Sequence, residues 1–535
     1  MLHLKTHPGN RLGGKNLFAD LPADIAFTNR LFYDKVMVSC IHPMWQKIKS
    51  FLSENKTSSQ TVAKNTVWLS ISNFGGRIIK AVIVIYGARV LGAAGYGVFS
   101  YAVTLAGFFT LFVDPGINSV LIREGAKATP QERKSLFSTT LIMKAVMIAA
   151  SVVIVVTIAP LFSTLPGAKI LLPLVALIII FDSTREFLSS LFRAEEKMQW
   201  DAAAFLSTSL GVVIFGFIFL KFATTPLAFT SAYVAGTAVG ALVAVWLLRK
   251  SFGKILSGAS AKRMIAILQT AWPFAITGAL GALLTNTDIL VISWMRSAAE
   301  VGIYAAAIRI VQVLYIVPSI IQLSTLPIFA RLAKRDPEKF RFALERTVSL
   351  IFLVAVPLSL GGAILGGGIM RLVFGSAYTT GGVAFSILML TLSFDYAGGV
   401  IANAIFAYDH QKSLIISSAI GGFGNVLFDL LLIPRWGIAG SAVATLIAQI
   451  LSNSYLWYAM NKLNRFHILP RLRKIVVAGA LMAAVTALLS SAGINIILNI
   501  IISGIAYGAA LLFFKESLLS EIKKITGLGA VEMEA

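Results

Sequence analysis

The chain has 535 residues, of which 57% are hydrophobic and 13% charged, and its mean hydropathy is +0.82. Soluble domains carry about 25% charged residues, so this composition excludes an ordinary soluble protein and indicates a chain that crosses a membrane many times. The formal net charge of +22 would suit a nucleic-acid-binding protein, but the positions of the cations, described below, make nucleic acid unnecessary as a partner.

The N-terminal segment, residues 1–64, is predicted to be cytoplasmic. It contains Cys40, the single cysteine of the chain, so no intramolecular disulfide can form. Residues 44–53 within it can form a helix whose apolar residues share one face, which would lie along the membrane surface. An unstructured basic tail fits the same residues equally well.

Fourteen apolar runs follow, each about as long as the roughly 20 residues that a membrane-spanning helix requires. They are continuous rather than alternating, which indicates helices and not a barrel. In chain order, predicted spans 1 to 14 are 65–88, 95–117, 136–160, 170–190, 203–220, 226–248, 268–293, 302–327, 347–370, 381–404, 412–433, 436–460, 475–491 and 493–514. Small-residue spacings such as Gly236 to Gly240 suit close contacts between helices in lipid.

Lysine and arginine residues are distributed unevenly between the loops. Those in the N-terminal segment, the even-numbered loops and the C-terminal tail outnumber those in the odd-numbered loops several-fold. This positive-inside pattern predicts a multi-pass protein of the cytoplasmic (inner) membrane with both termini in the cytoplasm. The odd-numbered loops, which would be external, are all short, and they leave no room for an external catalytic domain.

The two halves of the chain resemble each other. "LGAAGYGVFSYA" at span 2 is similar to "SAAEVGIYAAA" at span 8, which aligns Gly97 with Gly302, and three further matches follow in the same order. Because each unit holds an even number of spans, we expect a parallel repeat with a cavity between the units. The predicted organisation is an N-terminal segment 1–64, a first lobe 65–248, a cytoplasmic linker 249–267, a second lobe 268–460, a helix pair 461–514 and a cytoplasmic tail 515–535.

Four polar residues form one stripe along span 1. Ser70, Asn73, Arg77 and Lys80 fall within an arc of about 80° on a helix. Each cation at mid-membrane depth costs about 2.5–3.5 kcal/mol to insert. Because Arg77 and Lys80 both have this insertion cost and span 1 contains no carboxylate, we expect the polar stripe to face water or an anionic ligand. The alternative is that both cations pair with acids on neighbouring helices and only stabilise the bundle.

Two further spans contribute cations. Arg309, Gln312 and Ser319 lie on a polar stripe of span 8. Asp288 on span 7 lies at a similar depth, so we expect an ion pair between Asp288 and Arg309, with direct ligand contact by Arg309 as the alternative. Lys144 on span 3 either lines the cavity or extends its amine to the cytoplasmic surface.

Carboxylates inside the membrane are candidates for ion coupling. Asp395, near the middle of span 10, is the best single candidate for a proton or sodium ion, because a carboxylate at that depth is costly unless it is protonated, paired or hydrated. Asp288 is a candidate for either coupling or ion pairing. Residues nearer the ends of spans are expected to anchor the surface or to cap helices, and these are Asp114, Asp182, Arg185, Glu186 and Asp429.

The sequence offers no catalytic, metal or cofactor site. All five histidines fall in predicted cytoplasmic segments and lack a convincing metal-ligand spacing. No phosphate-binding glycine loop is followed by Lys and Ser or Thr, which argues against ATP-driven transport by this chain alone.

Several motifs carry a family resemblance. They are "ARVLGAAGYGVFSYA", "DPGINSVLIREGA", "DILVISWMRSAAEVGIYAAAIRI", "VFGSAYTTGGVAFSILML" and "PRWGIAGSAVAT". In these motifs, between about residues 64 and 460, the chain resembles the Wzx-type flippases of the multidrug/oligosaccharidyl-lipid/polysaccharide exporter superfamily. The resemblance implies an all-α membrane protein with about 14 transmembrane helices: two six-helix lobes around a central cationic cavity, plus a C-terminal helix pair.

The same resemblance implies a function. A lipid-linked oligosaccharide on a polyprenyl diphosphate would cross the cavity, with Arg77, Lys80, Arg309 and Lys144 as the cations that bind it, and its tail would stay among the membrane lipids. We therefore expect a flippase for surface polysaccharide such as lipopolysaccharide or exopolysaccharide, and not an enzyme. The sequence leaves open whether a proton or a sodium ion drives transport and whether a glycan polymerase is a partner.

Three other functions remain alternatives. A multidrug or organic-ion exporter of the same superfamily would favour an acidic lining, whereas the charges here are basic. A peptidoglycan-precursor flippase is a close relative. A membrane glycan polymerase or ligase belongs to a different class and would need a sizeable external loop.

Overall fold

The computed structural model describes residues 58–249 and 259–516. In these ranges the chain forms α-helices with short π-helical and 3₁₀ turns, and it forms no β-strand. The helices in chain order are α1 (Ser58–Ser70), α2 (Gly76–Val113), α3 (Ile117–Lys127), α4 (Pro130–Val153), α5 (Ala159–Phe162), α6 (Ala168–Ala194), α7 (Met198–Phe222), α8 (Pro226–Leu248), α9 (Ala261–Met295), α10 (Ala298–Leu314), α11 (Ile316–Leu332), α12 (Pro337–Ile364), α13 (Gly366–Phe374), α14 (Gly382–Ala407), α15 (Gln411–Leu463), α16 (Leu469–Ser491) and α17 (Ile496–Phe513). The predicted all-α fold class is confirmed.

Some sequence predictions concern residues outside the described ranges. They include the surface helix at 44–53, Cys40, part of the linker 249–267 and nearly all of the tail 515–535. The side chain of Asn73 also lies outside the described part of the chain, although its backbone belongs to the π-helical turn Ile71–Gly75.

Eleven helices in the described ranges are long and apolar enough to cross a membrane. Two of them, α2 and α15, contain a glycine with non-helical backbone angles, Gly92 at φ 67° and Gly437 at φ 57°. A side chain at either position would strain this left-handed conformation. Gly92 lies between predicted spans 1 and 2, whereas Gly437 lies at the start of predicted span 12, two residues inside its predicted boundary with span 11. Predicted span 4 lies on α6, and each of the other predicted spans also overlaps helices. The chain is a multi-pass membrane protein.

Helices α7 and α8 approach each other at glycines. A Cβ added to Gly211 would lie 3.0 Å from the Cα of Gly236, and one added to Gly240 would collide with the hydroxyl of Thr208. Helices in lipid associate through close packing, which requires small residues where they cross. The close contact predicted from the spacing of Gly236 and Gly240 is confirmed.

Helices α2 and α10 make a second close crossing. A Cβ added to Gly97 would collide with the carbonyl oxygen of Ala298, and one added to Gly302 would collide with the carbonyl oxygen of Ala93. The same Cβ atoms would lie 2.9 Å from the backbone nitrogen of Gly302 and 2.8 Å from that of Gly97, respectively. The two glycines that the internal repeat aligns therefore contact each other directly.

The kink of α2 also contacts the segment between α12 and α14. Arg89 donates from Nε to the carbonyl of Val373 at 2.7 Å and from Nη2 to the carbonyl of Leu372. Tyr378, in the 3₁₀ turn Ser376–Gly381, donates its hydroxyl to the carbonyl of Ala88 at 2.7 Å. These bonds and the crossing at Gly97 hold the kinked middle of α2 against helices from the second half of the chain.

The C-terminal helices α16 and α17 pack on α12. Tyr507 donates its hydroxyl to the carbonyl of Leu353 at 3.0 Å, and Asn499 donates to the carbonyl of Thr486 at 3.1 Å. The buried side chains of Met482 and Ile475 belong to the same small core. The outer sides of both helices expose large apolar residues, as expected for surfaces in contact with lipid tails.

Candidate functional site

A cleft of about 290 Å³ lies between helices from the two halves of the chain. Its polar lining comes from Ser70 and Arg77 on one side and from Ser319, Gln322 and Asn403 on the other. Ser70 ends α1, and Arg77 lies in the first turn of α2, so the π-helical turn between them sets their relative position. Irregular turns of this type are frequent at functional sites.

Arg77 is the one charged residue that lines this cleft. Its side chain is exposed, and it makes no hydrogen bond or ion pair with any residue in the described ranges. Arg77 therefore lines the cleft and does not form an ion pair with an acid in the described part of the chain. A guanidinium left in this state presents five donors to whatever enters the cleft.

Lys80 lies one turn beyond Arg77 but does not line the cleft. Its Nζ lies over the ring of Phe205, 5.0 Å from the centroid, and the guanidinium of Arg185 lies 5.3 Å from the same centroid. Asp182 and Arg309 act on Lys80 electrostatically without forming an ion pair with it. Lys80 is therefore neither exposed in the cleft nor neutralised by a bound carboxylate.

Arg309 and Asp288 do not form the expected ion pair. Arg309 donates to Oε1 of Gln312 at 2.9 Å and interacts with Tyr96 on α2. Asp288 accepts instead from the hydroxyl of Tyr304. The prediction was wrong because equal depth in the membrane does not fix the direction in which each side chain points around its helix.

Asp288 belongs to a buried polar cluster that also contains Asp429. Thr445 donates to Asp288 at 3.0 Å, and Ser441 donates to Asp429 at 2.9 Å. Asn425 donates its amide to both carboxylates, while its own Oδ1 has no hydrogen-bond partner. Both carboxylates are essentially fully buried. The expectation that Asp429 caps a helix end was therefore wrong.

No basic residue in the described ranges forms an ion pair with this cluster. Burial and mutual repulsion both disfavour two adjacent ionised carboxylates. Either one of them takes up a proton, or a bound cation compensates their charge. The cluster supplies oxygen atoms from carboxylates, hydroxyls and one amide, which are the ligands that hard cations prefer.

Asp395, the other coupling candidate, has different surroundings. It is half-buried and accepts hydrogen bonds from the hydroxyl of Tyr315 and, at 3.3 Å, from the amide of Asn453. Among the residues that the structure describes, no second carboxylate bonds to it.

Ser319, predicted on the same polar stripe as Gln312, lines the cleft, and its hydroxyl donates to the carbonyl of Ile316 at 2.7 Å.

Lys144 is neither a cavity cation nor a surface cation. Its side chain is 2% exposed, and its Nζ lies 3.5 Å from Oδ1 of Asp114. The same carboxylate accepts from the backbone N–H of Asn118 at 3.1 Å and so caps α3, as expected of Asp114. Both interpretations of Lys144 were wrong, because the acid that neutralises it follows α2 and is distant in sequence.

We expect Lys144→Met to lower stability without changing the transport rate per molecule. Removal of the amine leaves the Asp114 carboxylate without its ion pair, at a cost of about 1–3 kcal/mol. Thermal unfolding of the purified protein should show this loss of stability. The double variant Lys144→Met with Asp114→Asn should recover most of the lost stability. Unchanged stability combined with reduced transport would contradict a structural role for Lys144.

The charges of α6 form an ion-pair network. Arg185 contacts Asp182 at 3.0 Å and Glu186 at 3.1 Å, and Arg193 contacts Glu186 at 3.1 Å and Asp201 on α7 at 2.7 Å. Arg185 is buried, with one guanidinium nitrogen unpaired. The expectation that Arg185 anchors the surface was therefore wrong.

The sequence profile of the family described as "Polysaccharide biosynthesis protein" matches residues 62–333, which is about half of the chain. The chain belongs to the polysaccharide biosynthesis protein family. The matched part contains every cation discussed above and every residue that lines the cleft except Asn403. The family resemblance inferred from the sequence motifs is confirmed.

Curated relatives of this family member carry related names. The probable flippase AglR of Haloferax volcanii is 26% identical over 44% of this chain, which spans about half (52%) of the length of AglR. The probable low-salt glycan biosynthesis flippase Agl15 of the same organism is 22% identical over 72% of this chain and 81% of its own. A putative O-antigen transporter of Shigella flexneri is 22% identical over 73% of this chain and 96% of its own.

Solved structures support the fold of this family member. The lipid II flippase MurJ, in an inward closed conformation, matches with a TM-score of 0.71 at 18% identity, over 85% of this chain and all of that chain. An inward-facing multidrug resistance MATE transporter of the MOP superfamily matches with a TM-score of 0.58 at 14% identity, over 75% of this chain and 98% of that chain. At these identities the likeness concerns the fold alone.

Proposed function

We propose that the protein is a flippase that moves a lipid-linked oligosaccharide, carried on a polyprenyl diphosphate, across the cytoplasmic membrane for surface polysaccharide biosynthesis. The observation that carries this proposal is the exposed, unpaired guanidinium of Arg77 in a cleft inside a multi-pass membrane protein. A diphosphate is the part of such a substrate that lipid rejects most strongly, and a guanidinium binds phosphate oxygens in pairs. The name of Agl15, a probable low-salt glycan biosynthesis flippase, supports the glycan substrate.

The proposed mechanism is alternating access between two lobes, residues 65–248 and 268–460. Under the predicted topology, the cleft with Arg77 lies in the cytoplasmic half of the membrane. Under the same topology, the crossing of Gly97 and Gly302 and the bonds of Arg89 and Tyr378 would lie on the external side, where predicted spans 1 and 2 meet at the kink of α2. This arrangement would admit a substrate from the cytoplasm while the external side is closed, and separation of the external contacts would release it.

The residues have distinct proposed roles. Arg77 would bind the diphosphate directly, while Lys80 and Arg309 would add positive charge from the surrounding wall. Ser70, Ser319 and Gln312, and Asn73 by its place on the predicted stripe, would provide hydrogen bonds to phosphate or sugar. We remove Lys144 from the predicted binding set because Asp114 neutralises it.

We also propose that the cluster around Asp288 and Asp429 takes up the ion that drives the cycle, either a proton or a sodium ion. It is favoured over Asp395 because it holds two carboxylates and the unpartnered Oδ1 of Asn425. Tyr304 of the cluster lies on α10, the helix that carries Arg309 and crosses α2 at Gly302. Binding or release of an ion could therefore bias the external contact.

The localisation proposed from the charge pattern is the inner membrane with both termini in the cytoplasm. A glycan polymerase machinery that receives the flipped substrate is the proposed partner. An enzyme function is disfavoured because the relatives AglR, Agl15 and the Shigella protein are named as flippases or transporters. A multidrug exporter is disfavoured because the cation that lines the cleft would repel organic cations.

Depletion of the protein tests the function. We expect lipid-linked glycan to accumulate on the cytoplasmic leaflet and surface glycan to fall, which can be measured by leaflet-selective glycan labelling in spheroplasts and inverted vesicles. Resistance to organic cations should not change, and this serves as the control for the exporter alternative. Normal surface glycan together with increased sensitivity to organic cations would contradict the flippase function and favour the multidrug exporter.

A further inference from the structure

A second cavity, of about 480 Å³, lies apart from the cleft at the kink of α2. Arg89 and Gly92 of α2 line one side, and Arg371, Ser376 and neighbouring residues of the α13 segment line the other. None of its lining residues is a carboxylate. Under the predicted topology this cavity opens at the external membrane surface, so it shares neither residues nor location with the cleft of Arg77.

Arg89 is bound in this cavity without being neutralised. Its guanidinium donates to the carbonyls of Val373 and Leu372 at the C-terminal end of α13. Carbonyls at a helix C-terminus lack intrahelical partners and attract cations, but they carry no full negative charge. Arg89 thus closes the contact between α2 and α13 and still presents its positive charge to the cavity.

Arg371 lies on the same cavity with its charge free. Its side chain is exposed and makes no hydrogen bond or ion pair within the described ranges. Gly92 and Gly375 adopt positive φ angles of 67° and 99°, and the space that a Cβ would occupy is empty at both. Two guanidinium groups beside open space, without an acid, form a surface that favours a multiply charged anion.

We propose that this cavity is an external binding site for the phosphate group of a lipid. The ligand is either the diphosphate of the carried glycolipid as it leaves or the phosphate of an outer-leaflet phospholipid. This inference deepens the proposed flippase function and rests on its topology. A phosphate held by Arg371 would compete with the carbonyls of Leu372 and Val373 for Arg89, so that arrival of the lipid loosens the contact that closes the external side.

Protection of a cavity residue from labelling tests the proposal. The full chain with Cys40→Ser and Ser376→Cys has one cysteine, placed on the cavity wall. This variant is reconstituted in three kinds of nanodisc: phosphate-free galactolipid alone, galactolipid with polyprenyl diphosphate, and galactolipid with phosphatidylglycerol. Each sample is labelled with a membrane-impermeant maleimide, and the labelling rates are compared. A bound lipid present at ten times its dissociation constant should slow labelling about tenfold.

Arg371→Gln should abolish the protection, while Lys169→Gln, which removes an exposed cation outside the cavity, should preserve it. Protection by polyprenyl diphosphate alone assigns the substrate as the ligand, and protection by both lipids assigns membrane phosphate in general. Absence of protection in every arm, or protection that persists in Arg371→Gln, would overturn the site. Because labelling does not require transport, a failed flipping assay with intact protection would count against the proposed function and not against this site.

Discussion

Arg77→Ala should reduce export of lipid-linked glycan by about 10- to 100-fold, with the protein still inserted and abundant. The estimate follows from the loss of charge-assisted hydrogen bonds to phosphate, worth about 1.5–3 kcal/mol. Arg77→Lys should retain part of the rate, because it keeps the charge and loses the bidentate geometry. The measurement is the amount of lipid-linked glycan in each leaflet together with the surface polysaccharide.

The matched control for this variant is Arg341→Ala. Arg341 is an exposed arginine of α12 that does not line the cleft. Its removal takes the same charge from the protein and should leave export unchanged. Equal losses in both variants would mean that Arg77 acts through general charge or insertion, and normal export in Arg77→Ala would remove the proposed ligand contact.

Asp429→Asn should remove the dependence of transport on its driving ion. Repulsion between two buried carboxylates raises the affinity of their shared site for a proton or a sodium ion. Replacement of one acid removes this repulsion and one ligand, so it should weaken ion binding and uncouple the ion from the cycle. Coupling energies between two sites are typically about 1–3 kcal/mol, which corresponds to a roughly 5- to 150-fold change in affinity or equilibrium. The measurement is the rate in proteoliposomes with a sodium gradient, a proton gradient or neither.

Asp395→Asn provides the comparison for this prediction. It removes a half-buried carboxylate that has its own hydrogen-bond donors, Tyr315 and Asn453, and no acidic neighbour. We expect it to respond to the same gradient as the unaltered protein. If Asp395→Asn loses the gradient dependence and Asp429→Asn retains it, the coupling site lies on α14, as the sequence first suggested, and not in the Asp288 cluster.

The fold could be predicted from the sequence because it depends on patterns within single helices. Continuous apolar runs fixed the number and order of the spans, and small-residue spacing predicted the crossing at Gly236 and Gly240. The polar stripe of span 1 led to the expectation that Arg77 lines a cavity, and Arg77 is among the residues that line the cleft. These features need no knowledge of which helices are neighbours.

The pairing of charges could not be predicted in this way. Depth along the membrane suggested Asp288 and Arg309 as partners, but Asp288 accepts from Tyr304 of α10 and from residues of α15. Arg309 instead bonds to Gln312 of its own helix and interacts with Tyr96 on α2. Lys144 pairs with an acid that lies beyond the end of α2, a contact that no spacing within span 3 reveals. A helical wheel gives the face of a residue but not the helix that meets this face.

One signal in the sequence could have identified the buried acidic cluster. Asn425 and Asp429 are four residues apart, as are Ser441 and Thr445, so each pair lies on one helical face on either side of the break at Gly437. Polar pairs at this spacing inside an apolar run are costly unless they meet a common partner. Asp288, near the end of predicted span 7, was the available partner.

The most direct measurement is translocation by the purified protein in proteoliposomes. A polyprenyl-diphosphate oligosaccharide and a neutral glycolipid with the same glycan are compared, because only the former carries the anion that Arg77 is proposed to bind. We predict leaflet exchange of the diphosphate-linked glycan in the unaltered protein, little exchange in Arg77→Ala, and little exchange of the neutral lipid in either. Equal exchange of both lipids, or undiminished exchange in Arg77→Ala, would contradict the account.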